Sequence, residues 1–364
     1  MWKQWDKKNP DAVWEIVPSS TNSISIFTLP AEHPRYRSVL LGLPANNDLS
    51  KLDAAWQTYH HGKINNAIHQ FEDLALKNQP ALDAVNGLAW SLLKAKQINK
   101  SEEIFKEILD LYLENGQIIF NSSLFQEIKS VSGIVNVKYD SEGLESVFEK
   151  YFGKSELKDL LKPSLIPVYD LSRGKNYFFR QQKALKSPRH NFYVKDLLRA
   201  ATSALTYFPP AQISTANNKE HRCFIDGGVF ANNPALSAYA EFRYHNSDLH
   251  AKDTMMLSLG TGRKTTNLDC EVTANWGAAE WLYQGSYLTS NAVASASDYQ
   301  LNAVYDSNSN YLRLDSSFDD NQSSSMDNTD KDYLDYLISL GESIVRDKQS
   351  EIHAFAEELI SNSK

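Results

Sequence analysis

The spacing of apolar residues predicts a chain that begins with a short strand, turns helical, and then alternates strand with helix. Ile24, Ile26 and Thr28 alternate with Ser25, Phe27 and Leu29 up to Pro30, the period of a strand. Tyr36 to Leu43 is a second apolar run, closed by Pro44. Further on, Leu144, Val147, Phe148 and Tyr151 form a helical stripe behind a cap at Ser141. Ser164 to Asp170 reads as a strand, Ser172-Arg173-Gly174 as a turn, and Asn176 to Phe179 as the returning strand. Lys195 to Ala204 reads as a helix and Thr254 to Gly260 as a buried strand. Asp315 to Asp332, rich in Ser, Asp and Asn, reads as a solvated loop, and Tyr333 to Ile360 as helix. Strands alternating with helices predict an α/β core with a parallel sheet.

Between these regions lies a periodicity of a different kind. Ala55 and Ala89, Trp56 and Trp90, Ile64 and Ile98, Asn65 and Asn99, and Phe71 and Phe105 are identical pairs with one shared offset, and Leu74 and Ile108 match conservatively. That offset, about 34 residues, resembles the tetratricopeptide helical hairpin. Gly62 falls at the inter-helix turn, Ala67 where two helices must approach, and Pro80 where the second helix ends. The resemblance implies a repeat pair over 48–112 that leans on its neighbour, because two such repeats are too few to stand alone. The apolar stripe of Ile108, Leu109, Tyr112 and Leu113, with no break before Asn115-Gly116, predicts one continuous helix near Ser101–Gly116 shared by both parts.

Composition narrows the class. With 42% apolar and 11% aromatic residues the chain can bury a core, which excludes a disordered or collagen-like chain. A net charge of -8 and no basic stripe argue against a nucleic-acid partner. Two cysteines, Cys223 and Cys270, exclude a disulfide scaffold and fit a reducing compartment. The start shows no signal-peptide pattern and no apolar run is long enough to span a bilayer, so the expectation is a cytoplasmic protein.

One segment carries candidate chemistry. Cys223-Phe224-Ile225-Asp226-Gly227-Gly228 is an apolar strand that delivers an aspartate onto a double-glycine turn. Asn233 and Pro234 then open a helix, with Pro at its first position. A carboxylate at the carboxyl end of a strand sits where open α/β sheets place their sites.

With this motif on the page, residues 105–350 resemble the carboxyl-terminal two-thirds of a patatin-like phospholipase. Five segments carry the likeness, in order: Glu107 to Phe120, Arg199-Ala200-Ala201-Thr202-Ser203-Ala204-Leu205-Thr206-Tyr207-Phe208-Pro209-Pro210, Asp226-Gly227-Gly228, Leu257-Ser258-Leu259-Gly260-Thr261-Gly262 and Tyr311-Leu312-Arg313-Leu314. The resemblance implies a three-layer α/β/α fold and a lipid acyl hydrolase. In that chemistry a serine in G-x-S-x-G attacks the ester, an aspartate acts on it without a histidine, and a glycine-rich turn holds the oxyanion. Asp226 maps onto the catalytic aspartate, with Gly227 and Gly228 as the turn that supports it. No metal or other cofactor is implied. The implied partner is a lipid or membrane surface, and the repeat groove adds a candidate protein partner.

The departures are as informative. No two of the fifteen glycines are four apart, so G-x-S-x-G is absent, and there is no triple-glycine turn. Serines two residues before a glycine are Ser141, Ser172, Ser258 and Ser339, which read as cap, turn, mid-strand and mid-helix, none of them a strand-to-helix elbow. Gly260-Thr261-Gly262-Arg263-Lys264 lacks phosphate-loop spacing, and His60, His61 and His69 lack metal-ligand spacing. His221 precedes Asp226 by five residues and reads as a surface histidine. The expected organisation is therefore a segment of no assigned role (1–47), the repeat pair (48–112), a partial α/β domain (105–350) and a helix end (351–364). Two functions stay open: a lipid acyl hydrolase, or a non-catalytic interaction protein in which repeats replaced the nucleophile half.

Overall fold

The computed structural model describes residues 14–15, 23–28, 49–75, 88, 91–92, 95, 100, 113–121, 137–160, 163–264, 269–305, 310–318 and 325–361. The run Tyr36–Leu43 and most of the second repeat, with residues 101–112 of the expected shared helix, lie outside them.

The first helices pair as a hairpin. α1 (Leu49–His60) and α2 (Ile64–Ala75) are joined through Gly62, whose φ of 74° is the left-handed conformation that glycine adopts without strain. Ala55, Trp56, Ala67, Ile68, Phe71 and Leu74 interlock between them. Trp56 meets Phe71 edge to face with ring centroids 5.0 Å apart. Leu88 and Leu92, both helical and buried, pack into the same cluster. Residues 113–119 are helical as well.

The α/β part contains two four-stranded sheets. In the first, β3 (Leu165–Asp170), β4 (Lys175–Arg180), β5 (Ala211–Ser214) and β6 (His221–Asp226) lie in the order β4-β3-β6-β5. Every neighbour in it is antiparallel. This corrects the expectation of a parallel sheet, and the chain connections explain it. The Ser172-Arg173-Gly174 turn is too short for a crossover, so β3 and β4 fold as a hairpin. The loop from Thr215 to Glu220 returns β6 alongside β5 in the same way. α3 (Glu142–Phe152), α4 (Gln181–Lys186) and α5 (Val194–Ala201) pack on this sheet. Phe152, Leu157, Ile166, Phe179, Phe192, Leu197 and Phe224 form the core beneath them.

In the second sheet the order is β1 (Trp14–Glu15), β2 (Ser23–Thr28), β7 (Met255–Gly260), β9 (Tyr311–Leu314). β7 and β9 are parallel, and the 27-residue α9 (Ala278–Val304) lies between them in sequence, long enough for the crossover a parallel pair needs. β2 runs antiparallel to β7 over its whole length, so the strand read from Ile24 covers what would otherwise be a free edge. α7 (Ala235–His245) and the end of α9 pack here through Phe242, Met256, Leu301 and Tyr305. α10 (Lys331–Asp347) and α11 (Gln349–Ser361) divide the apolar run after Tyr333 in two, and Phe355 of α11 reaches Met255 and Leu312.

Within the described part of the loop expected over 315–332, a short strand forms and a carboxylate is buried. β8 (Arg263–Lys264) pairs in parallel with β10 (Ser317–Phe318). Asp315, expected in a solvated loop, lies only 11% exposed against Arg313.

Candidate active site at the end of β6

Asp226 ends β6 and is 2% exposed. Phe224 and Ile225 bury the strand, so the chain has no freedom to turn the carboxylate outward along it. The N–H of Gly228 donates to Asp226 Oδ1 at 2.8 Å, and the backbone N–H of Asp226 donates to the carbonyl of Ser203 at 3.1 Å. A short helix, α6 (Gly228–Ala231), starts at once.

The double glycine is required by space rather than by dihedral strain. Gly227 has a φ of -71°, open to any residue. A Cβ there would lie 2.3 Å from the carbonyl oxygen of Pro167, in the middle of the neighbouring β3. The β3–β6 pairing ends with Val168 opposite Asp226, so Gly227 meets Pro167 just beyond the last paired residues.

The loop after α5 forms the other wall. Arg199, buried in α5, donates to Ser203 Oγ at 2.6 Å, to the carbonyl of Pro209 at 2.9 Å and to Glu145 at 3.2 Å. It therefore fixes both ends of the loop that contacts Asp226. Ser203 meets Asp226 through its main chain; its hydroxyl donates to the Arg199 carbonyl. The pattern Arg199 to Pro210 was visible in the sequence, but the role of Arg199 as the clamp was not. A helical arginine looks like a surface residue until its i+4 and i+10 partners fold back over it.

Beyond α6 the chain is tied down by two asparagines. Asn232 donates to the carbonyl of Ser290 at 3.2 Å and Asn233 to that of Ala294 at 3.5 Å, both in α9. The carboxamide oxygen of Asn233 accepts from the N–H of Ala235 at 3.2 Å, so the segment enters α7 already ordered. Pro234 sits at the N-cap position, one residue earlier than expected, and α7 starts at Ala235. Asn232, Arg263, Asp298, Arg313 and Asp315 line a small polar recess at the carboxyl ends of β7 and β9.

Of the four serines that precede a glycine by two, three have hydroxyls engaged elsewhere. Ser141 takes the N-cap position of α3, as expected, but its side chain makes no capping hydrogen bond there. Ser172 Oγ accepts from the N–H of Cys223 at 2.9 Å. Ser258 is fully buried and accepts from Arg313 at 2.7 Å. Ser339 donates to the carbonyl of Tyr336 within α10. His221 lies at the opposite end of β6 from Asp226, and an odd separation along a strand puts the two on opposite faces. It shares a 2.7 Å hydrogen bond with Ser214. His69 pairs with Glu72 at 3.2 Å on the exposed face of α2. The loop at Gly260-Thr261-Gly262 closes on a carboxylate instead of a phosphate. A Cβ on Gly260 would fall 2.1 Å from Asp315, and Gly262, at a φ of 91°, donates its N–H to Asp315 at 3.2 Å. Among the described residues, no group of three or more His, Cys, Asp or Glu could hold a metal, and no helix is long and apolar enough to cross a membrane.

A family model described as patatin-like phospholipase matches residues 84–239, which include the Arg199 loop and the Asp226 turn. Patatin-08 of Solanum tuberosum is 28% identical over 284 residues, covering 72% of this chain and 71% of the relative. Patatin group D-2 of the same plant matches to the same extent. A third relative, named probable inactive patatin-3-Kuras 1, is 28% identical over 264 residues, covering 68% of this chain and 69% of its own. The segment that positions Asp226 therefore lies within the stretch similar to the patatin-like phospholipase model, residues 84–239, and chains similar to this one over about two-thirds of its length include patatins.

Proposed function

We infer that this chain descends from lipid acyl hydrolases, keeps their aspartate as Asp226, and lacks the serine nucleophile and the glycine-rich oxyanion turn, so that alone it is catalytically incomplete. The observation that carries this reading is the glycine spacing: no pair of glycines brackets a serine at G-x-S-x-G. The family match sharpens it. Because the match begins at 84, ahead of the boundary expected at 105, it takes in Gly87-Leu88-Ala89-Trp90-Ser91. Between 84 and the Asp226 turn, Gly153-Lys154-Ser155 also sets a small side chain two residues after a glycine, but Gly153 is the C-cap of α3 and a lysine interrupts; in the apolar run at Gly87, alanine stands where the serine would be. An alanine has no hydroxyl to be activated, whatever the state of the aspartate. Leu88, Ser91 and Leu92 are helical, and Leu88 and Leu92 pack against the first hairpin, which supports a structural use of this segment. A relative whose printed name is probable inactive is consistent with loss of activity among similar chains.

On this reading Asp226 and the Arg199 loop are an inherited scaffold, and the lipid class of the ancestor sets the class of ligand still recognised. The expected setting is the cytoplasmic face of a lipid surface. The test is hydrolysis of short acyl esters and of phospholipid by the purified chain, with Asp226→Ala as the blank.

A second reading, a non-catalytic interaction protein built on tetratricopeptide-like repeats, is favoured by one observation. Leu88 and Leu92 join the core of the first hairpin, as the helix of a following repeat would. The two readings are compatible in one chain, and the groove beside α2 is then the place for a protein partner.

A further inference from the structure

We propose that the corner between α8 (Cys270–Thr273) and α9 is a docking surface for the head groups of zwitterionic choline lipids. Three observations meet there. Trp276 and Trp281 form an edge-to-face pair with ring centroids 5.0 Å apart. Trp281 is 48% exposed, and Val272 on α8 is 59% exposed, so the pair is not the interior of the fold. The corner is also held in shape. Asp269 accepts from the N–H of Glu271 at 2.7 Å, and Glu280 accepts from the N–H of Gly277 at 3.0 Å, so the rings are presented by a capped turn.

Charge selects the occupant. From Thr265 to Leu312 the sequence contains no Lys, Arg or His, while Asp269, Glu271 and Glu280 flank the tryptophans. An anionic bilayer would be repelled by such a surface. A quaternary ammonium is attracted twice, by the faces of the indoles and by the carboxylates around them. Indole rings also settle at the boundary between head group and acyl chain, one end apolar and one end able to donate a hydrogen bond. The position suits the task. α9 is about 40 Å long, and it is fixed to the body from Ser290 onward, through the Ser290 and Ala294 carbonyls and the buried Leu301. The tryptophan corner stands at its other end.

The choice of a lipid surface rests on the lipid-ester ancestry argued above, so its test is read apart from hydrolysis. The full-length chain is floated with phosphatidylcholine vesicles, and with vesicles in which roughly a third of the lipid is phosphatidylglycerol. The expected result is flotation with the first, weaker flotation with the second, and about a tenfold lower partition coefficient for Trp281→Ala. Val272→Asp is the second variant, and both are checked for native circular dichroism. Equal flotation of parent and folded variants, stronger binding to the anionic vesicles, or no flotation overturns the proposal. So does a dimer that Trp281→Ala dissociates in the absence of vesicle binding, since a second copy would then own the surface. Fatty-acid release from the same vesicles would contradict the inactive reading without touching the docking; absent flotation would reject the docking and leave the inactive reading intact.

Discussion

Arg313 donates to the hydroxyl of Ser258 at 2.7 Å, and the two residues face each other in register across the parallel strands β7 and β9. The same hydroxyl lies 3.4 Å from Asn233 Oδ1, in the segment that follows the Asp226 turn. Arg313 also binds Asp315 at 2.8 Å, and that carboxylate receives the N–H groups of Gly262 and Ser316. Ser258 is thus one link in a chain of polar contacts that joins the second sheet to the end of the first. Arg313→Met leaves the 11%-exposed Asp315 without its cation, and is expected to lower stability by about 3 kcal/mol. Ser258→Ala should cost about 1–2 kcal/mol. Chemical denaturation measures both.

Gly227 and Gly174 separate two reasons for a glycine. Gly227 has an ordinary φ but a Cβ would strike the Pro167 carbonyl; Gly174 has open space but a φ of 62°. Gly227→Ala is expected to destabilise by about 2–3 kcal/mol because two buried strands must separate. Gly174→Ala should cost about 1 kcal/mol, from the left-handed backbone alone. Thermal melts of the two variants rank the effects.

Glu241 gives the fold an acid sensitivity. Burial pushes its carboxyl up, but the hydrogen bond with His245 at 3.3 Å and the ion pair with Arg180 at 2.8 Å outweigh it and hold it below the ordinary 4.5. A carboxyl with a lowered folded value contributes stability above its unfolded value, and that contribution is lost as the pH falls through the folded one. Melting temperature should therefore drop as the pH goes below about 4.5. Glu241→Gln should melt lower than the parent at pH 7, with the gap closing in acid.

Phe71 tests the helical hairpin. It is fully buried against Trp56, and Phe71→Ala is expected to cost about 3–5 kcal/mol. If the hairpin and the α/β part share one helix through 101–116, a single thermal transition moves down. Two transitions, only one of them displaced, would separate the parts.

Local pattern made much of this fold legible. The β3 to β4 hairpin, α5 and β7 were readable because alternation, helical stripe and the Ser172-Arg173-Gly174 turn are all local signals. The antiparallel sheet was not, because strand direction is decided by which connections are short enough to forbid a crossover. Asp315 was misread for the opposite reason. The residues that follow it in sequence are polar, and it is taken out of water by Arg313, two residues before it, and by the bare backbone of Gly260 and Gly262, brought by β7 and the loop after it. At the candidate site the Asp-Gly-Gly turn was plain, while the Arg199 clamp depends on contacts with Ser203 and Pro209 that no period encodes.

The most direct measurement is turnover. The purified chain, assayed on p-nitrophenyl butyrate and on phosphatidylcholine vesicles, is predicted to release product no faster than its Asp226→Ala variant, since removing a catalytic serine leaves on the order of a millionth of the rate. Hydrolysis well above background that disappears in a folded Asp226→Ala variant would contradict the account and require a nucleophile that the glycine spacing does not reveal.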